Sequence, residues 1–425
     1  MRHLQNGGHV FKCGCRHFAS VSSKDWRPEL DFDYLLNPAN TEEIRQNIAV
    51  RKQTEEAQLR QLWTQFYTEA AQLPNRTYEG TLNGDENRLV STFGVLPKFS
   101  DFQPREAEEV GIKYRALRTD ITETAGEKSY VLLGPFARLE TALIRIAMKK
   151  LLSEGFQLLT VPDVISQNIP VACGVAQRSE HGILYQSTKS ATGGSDQQKL
   201  CLSGTGEMGI AAYLAGKTFE SDQLPMKLCT VSACYRPEVG RGKMGHGLYR
   251  VHEFTKVEMF GVTSESIEAS EGMLQELVRT QTELFSSLGL HFNLLEMSSG
   301  ELGAAAYHKF DVEAWMAGRE IFGEISSASN CSDFQSRRLG VKYKKKEGGK
   351  AFVHTVNGTA CASTRLLIAL VETHQRKNWS LSLPEIVTAE LDEMGRNQPE
   401  GDRIQLRLLS RDVRTKIEEI SLDIS

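Results

Sequence analysis

No apolar run in this 425-residue sequence approaches the roughly 18 residues a helix needs to span a bilayer, so no membrane partner is expected. Charge of one sign is also missing. Fifty Lys and Arg stand against 54 Asp and Glu, a formal net charge of −4. That excludes a chain-wide basic field for nucleic acid and leaves only local patches. The eight cysteines are unpatterned outside Cys13-Gly-Cys15: no paired CxxC spacing occurs, and the histidines do not cluster. Neither a structural zinc site nor a disulfide framework is expected, and the thiols read as reduced and mostly buried. No GxxxxGK[ST] phosphate loop occurs, and no GxGxxG leads from a strand into a helix. If the chain binds ATP, it does so on the face of an antiparallel sheet. Internal repeats and low-complexity tracts are absent. Acids are missing from the first 22 residues, where Arg2, Lys12 and Arg16 precede the first carboxylate, Asp25. A basic, serine-containing, acid-free start reads as a mitochondrial transit peptide over 1–22.

In bulk the composition is ordinary for a globular protein, 40% apolar and 24% charged. The length suits one large domain plus a smaller one. The distinctive stretch is "YRPEVGRGKMGHGLYRVHEFTKVEMF", Tyr235 to Phe260. After its glycine-rich turn, Arg250, His252, Phe254, Lys256 and Glu258 alternate with Tyr249, Val251, Thr255, Val257 and Met259, with Glu253 as the exception. Before the turn, Cys229, Val231, Ala233 and Tyr235 alternate with Thr230, Ser232, Cys234, Arg236 and Glu238. Period two with β-branched and aromatic residues predicts an antiparallel hairpin with one core face and one charged, aromatic-bearing face. Guanidinium forks grip phosphate oxygens, an aromatic ring stacks on a base and carboxylates accept from amines. The hairpin therefore points to a nucleotide.

Elsewhere, spacings of three and four predict a helix within Asn40–Gln72, opened by Asn40 and Glu43 in a capping-box-like start. Residues 75–105 are rich in turn formers. An apolar helix from Pro135 to Ser153 leads into "QLLTVPDVI", a strand interrupted by Pro162. A further amphipathic helix is expected over 264–288, strands over "YHKFDVEAW" and "REIFGEISSASN", and a helix over "STRLLIALVETHQ". Beyond Pro384 the chain reads as a polar, charged tail. Irregularly ordered strands and helices with a hairpin among them predict an α+β fold, a mostly antiparallel sheet flanked by helices.

The helix–Gly155–Pro162 segment, "YRPE…GLYRVHEFTKVEMF" and "NGTACASTRLLIALVE" resemble motifs 1, 2 and 3 of the class II aminoacyl-tRNA synthetases. Within that class the chain resembles the seryl-tRNA synthetases of mitochondrial type, through "GTGEMGIAAYLAGKTF", "GLYRVHEFTKVEMFGVT", "LGAAAYHKFDVEAWMAGREIFGEISSASNCSDFQSRRL" and "HTVNGTACASTRLLIALVE". These blocks cover most of 130–376 in order. The resemblance implies a catalytic domain over 106–385 and a shortened tRNA-binding helical arm with linker over 23–105, ahead of the tail at 386–425. It further implies a homodimer, ATP and Mg²⁺, serine and serine tRNA as substrates, and the mitochondrial matrix as location. Arg236 and Arg365 would be catalytic. Arg236, Glu238, Arg250, Val251, Phe254, Glu324, Ser326, Ser327 and Arg365 would bind ATP, with Glu324 and Ser327 on the metal. Thr205, Glu207, Glu258, Asn357 and Thr359 would line the serine pocket. His246 and His252 are read as structural.

The sequence departs from the family pattern at three places. Gly206 stands between Thr205 and Glu207 where alanine is expected, and Pro237 removes an amide donor from motif 2. The arm, with Arg45, Arg51, Lys52 and Arg60 mixed among acids, is short for phosphate-dominated RNA binding. Two alternatives to an active serine–tRNA ligase follow. One is a catalytically inactive paralogue acting as a dimer partner or RNA-binding regulator. The other is a class II-like ligase for a different small amino acid.

Overall fold

The computed structural model describes residues 56–175, 185, 199–238 and 247–395. The expected transit peptide, the helix start at Asn40 and Glu43, His246 and the chain beyond 395 lie outside the described residues. Of the expected N-terminal helix, α1 (Glu56–Ala70) is described.

Eight strands form one sheet. They are β1 (Arg88–Phe93), β2 (Gln157–Leu159), β3 (Met226–Tyr235), β4 (Glu253–Thr263), β5 (Phe292–Glu296), β6 (His308–Met316), β7 (Ile321–Ser332) and β8 (His354–Ala362). Their spatial order is β1-β5-β6-β7-β8-β4-β3-β2. Every pair is antiparallel except β2 on β3, which is parallel. The α+β expectation holds, and the expected hairpin is the β3–β4 pair.

One face of the sheet is sealed by helices α3 (Gly134–Ser153), α5 (Ile267–Ser287) and α7 (Ser363–His374). In α3, Pro135 sits in the first turn, where its missing N–H costs nothing. Phe136, Leu139, Leu143, Ile146 and Ala147 then fall on one stripe and are buried. In α5 the Ser266 hydroxyl caps the helix by accepting from the Ala269 amide. Met273, Leu274, Leu277, Leu284 and Phe285 of α5 face the sheet. A short helix, α2 (Ala107–Lys113), packs on α7.

On the opposite face, α4 (Gly206–Leu214) and α6 (Phe334–Leu339) cover only one end. There Met208, Ile210, Leu214 and Leu339 bury Leu228, Phe260 and Val262. The rest of that face carries the charged residues of β4 and forms the floor of a cleft.

Several expectations change. Val231, expected in the core, is 37% exposed although its cross-strand neighbour Val257 is fully buried. The segment around Pro162 is two strands. β2 joins the main sheet, whereas Val164–Ser166 pairs separately with Leu200–Leu202. The folded body also extends past both expected borders of 106–385. β1 forms a sheet edge, and the supposed tail opens with a helix, α8 (Glu385–Gly395), docked on α3. Buried Glu390 of α8 accepts from Lys149 at 2.6 Å and also from Arg145.

Candidate active site

At one end of the cleft, Phe254 on β4 turns its ring toward Arg236, whose guanidinium lies 5.4 Å from the ring centroid. Arg236 follows directly after β3. Its Nε donates to the Gly204 carbonyl at 3.1 Å, and its amide donates to the His252 carbonyl at 2.9 Å. The His252 ring contacts the Arg236 carbonyl at 3.0 Å. Pro237 lies beyond the last β3 residue, Tyr235, so no ladder donor is lost there. Glu238 accepts from Arg250 Nη1 at 2.9 Å. Val251 is different from its neighbours. Its side chain is buried with Cys234, Phe254 and Ala362.

Arg365 enters from the third position of α7. Its Nη1 donates to Glu324 Oε2 at 3.2 Å and to the Glu324 carbonyl at 3.1 Å, and its guanidinium lies 4.6 Å from the Tyr249 ring centroid. Burial alone would raise the Glu324 carboxyl. Arg365, then Lys309 and Arg236, outweigh that and hold it below its ordinary value. Arg236, Glu324 and Arg365, 129 residues apart at the extremes, thus share one electrostatic neighbourhood.

A β-bulge makes this possible. Val312 faces Ser326 across the ladder but Glu313 faces Glu324, so Ile325 is an extra residue without a partner. Odd spacing would put Glu324 and Ser327 on opposite faces of a regular strand. With the bulge, they oppose Glu313 and Asp311, which are two apart, and therefore share the cleft face. Ser326 is different: its hydroxyl donates to the Thr359 carbonyl at 2.5 Å. β7 and β8 stop pairing beyond Ala328–Gly358. Gln281 of α5 fills the gap by donating to the carbonyls of Ser327 at 2.8 Å and Thr359 at 3.0 Å.

Beside these charged residues lies a polar cluster built around two acids. Glu258 Oε1 accepts from Thr205 at 3.2 Å and from Thr359 at 3.1 Å. Glu207, in the first turn of α4, accepts from Asn357 at 2.7 Å and Gln335 at 2.5 Å. Burial, and second the charge of Glu258, push the Glu207 carboxyl up to about 7. Gly206 belongs here for a steric reason. A Cβ at that position would meet Ser232 Oγ and Thr230 Cγ2, both at 2.7 Å. Glycine lets the start of α4 rest directly on β3.

All five expected pocket residues converge, as do Arg236, Glu238, Arg250, Phe254, Glu324, Ser327 and Arg365. The sequence reading missed Gln281 and Gln335, which act on backbone and carboxylate from helices, and Tyr249 as the aromatic under Arg365. It also missed Lys309, Asp311 and Glu313 on β6; their period-two spacing in "HKFDVEAW" was the available signal. Among them, Lys309 donates to Asp311 at 3.0 Å, while burial lifts the Asp311 carboxyl against that pull. A carboxylate and a hydroxyl, Glu324 and Ser327, are the hard oxygen donors that fit Mg²⁺.

Residues 190–374 match the family model of the tRNA synthetase class II core domain (G, H, P, S and T). The chain is 42% identical to the mitochondrial serine–tRNA ligase of Mus musculus over 81% of this chain and 68% of that one. It is 39% identical to that of Bos taurus over 90% and 75%, respectively. The crystal structure of seryl-tRNA synthetase from Pyrococcus horikoshii complexed with ATP superposes with a TM-score of 0.73 at 25% identity, covering 83% of this chain and 81% of that one. The cytoplasmic serine–tRNA ligase of Naegleria fowleri in complex with AMP gives 0.70 at 30% identity, covering 79% of each. With this degree of identity over most of its length, the chain belongs to the serine–tRNA ligase family of class II aminoacyl-tRNA synthetases.

Proposed function

We propose that the chain is a mitochondrial serine–tRNA ligase that activates serine with ATP and transfers the seryl group to serine tRNA. The observation that carries this reading is the meeting of Arg236, Glu324 and Arg365 in one electrostatic neighbourhood, next to the Thr205–Glu258–Thr359 cluster. In the first step a serine carboxylate oxygen attacks the α-phosphorus of ATP, the bond to the bridging oxygen breaks and pyrophosphate leaves. Phe254 offers a stacking face for adenine and Glu238 an acceptor for its amino group. Arg236 offsets the charge that develops on the α-phosphate, while Arg250 and Arg365 hold the triphosphate tail. This is catalysis by positioning and fixed charge rather than by a general base. Glu324 and Ser327 would hold Mg²⁺, which neutralises phosphate charge when bound. Glu207 and Glu258 attract the serine ammonium, and Asn357 and Thr359 face its hydroxyl. A buried polar pocket of this kind rejects alanine, which would leave those partners unpaired. In the second step a terminal ribose hydroxyl of the tRNA attacks the seryl carbonyl and AMP departs.

Import into the matrix, with 1–22 as transit peptide, is supported by the mitochondrial relatives. A homodimer is supported by Leu158 and Val231, which are 49% and 37% exposed on neighbouring strands β2 and β3. The inactive-paralogue alternative has no missing side chain to rest on. Serine-dependent ATP–pyrophosphate exchange, followed by charging of serine tRNA, tests the proposal. Absence of serine-dependent exchange in the wild-type chain would overturn it.

A further inference from the structure

Three residues of β4 point into the cleft in register: Phe254 at the nucleotide end, Glu258 in the amino-acid pocket, and Lys256 midway between them. Alternate positions on a strand are about 6.7 Å apart, so Lys256 rises where the two substrates must meet. It is 7% exposed, flanked across the sheet by Ser232 on β3 and Ala362 on β8. Its ammonium is ion-paired with Glu258 Oε1, the oxygen that also accepts from Thr205 and Thr359. The charge of Lys256 reaches further, helping to pull the neighbouring Glu207 carboxyl down. A buried lysine is costly unless a partner compensates it. This one is placed against the acid that the pocket offers to an amino acid.

We infer that Lys256 is a positioning residue of the amino-acid pocket, holding the Glu258 carboxylate between Thr205 and Thr359 and offsetting one of two facing acids so that a zwitterion can enter. Without it, Glu207 and Glu258 would present two uncompensated carboxylates to the carboxylate end of the incoming amino acid. The ammonium end alone would be attracted. With it, the pocket holds two acids at one end and a cation on the side facing the α-phosphate, matching the charges of serine. The role is exerted through Glu258 and is therefore specific to the amino acid rather than to ATP.

The inference rests on the serine–tRNA ligase reading. The test is serine-dependent ATP–pyrophosphate exchange with the full chain, comparing wild type with Lys256→Met, Glu258→Gln and the double variant. Lys256→Met should raise the KM for serine by at least about tenfold and leave the KM for ATP within about twofold. Lys256→Arg, which restores a cation, should recover most of that loss. In the Glu258→Gln background the lysine has no carboxylate to hold. The double variant, which buries no unpaired charge and so also covers the case in which Lys256→Met does not fold, should match Glu258→Gln within about twofold. Parallel rises in both KM values, or a double variant about tenfold weaker for serine than Glu258→Gln, would overturn the inference. Lack of exchange in the wild type would instead sink the underlying function.

Discussion

Arg365 Nη1 stands 3.2 Å from Glu324 Oε2, joining the third residue of α7 to a strand residue 41 positions earlier. The same guanidinium is braced on Tyr249 through the ring and through Nε, which donates to the Tyr249 carbonyl at 3.3 Å. A planar fork is needed for this set of contacts, and a lysine cannot reproduce it. Arg365→Ala should lower serine-dependent pyrophosphate exchange by roughly two to three orders of magnitude. Arg365→Lys should recover little of it. Near-wild-type exchange in Arg365→Lys would show that charge alone suffices.

Serine affinity should depend on pH through Glu207. Its carboxyl is pushed up to about 7, so below that pH it is neutral and attracts the serine ammonium weakly. The KM for serine should fall as pH rises from about 6 to about 8 and then level off. Glu207→Gln should flatten this profile. The stability consequence has the opposite sense: the folded chain binds this proton more tightly than the unfolded chain does. The group therefore costs stability as pH rises from the ordinary carboxylate value to about 7. A serine KM profile unchanged by Glu207→Gln would count against this assignment.

Gly206→Ala restores the residue expected from the family pattern, yet it should harm this chain. The new methyl would press on Ser232 and Thr230 at 2.7 Å. We expect a loss of roughly 1–3 kcal/mol in denaturant unfolding and weaker serine binding as α4 is pushed off β3. A neutral or stabilising result would mean that α4 shifts freely.

Gln281 does from α5 what the ladder no longer does between β7 and β8. Gln281→Leu leaves the carbonyls of Ser327 and Thr359 without that donor, and should cost about 1–3 kcal/mol. Because the bulge places Glu324 and Ser327, the variant should also need more Mg²⁺ for half-maximal exchange. An unchanged Mg²⁺ requirement with lowered stability would confine Gln281 to a structural role.

Ending the chain at residue 384 should lower the thermal unfolding midpoint. It would strip Val387 and Leu391 from the core and remove buried Glu390 from Arg145 and Lys149. A midpoint equal to that of the full chain would restore the reading of a detached polar tail.

Local periodicity accounts for what could be read early. Alternation over Cys229–Glu258 located the β3–β4 hairpin, and three- and four-residue spacing located the N-terminal helix of which α1 is described. Both periods are written in neighbouring residues. The same rule explains the misreadings. Alternation sorts residues by face but not by what covers each face, which is why Val231 reads as core yet is exposed. In 385–395, Val387 and Leu391 are a four-residue pair too short to distinguish a docked helix from a tail.

The sequence by itself determined the β3–β4 hairpin, the helices α3, α5 and α7, the absence of a phosphate loop and the polar residues available to grip a nucleotide and a small amino acid. These follow from side-chain chemistry and from contacts within a few residues. Only the tertiary structure decided which of them meet. The unpaired Ile325 turns Glu324 and Ser327 to one face, Gln281 bridges strands that have parted, and Gln335 reaches Glu207 from 128 residues away. Such partners are chosen by closure of the sheet and docking of helices, and no spacing along the chain encodes a contact formed that late.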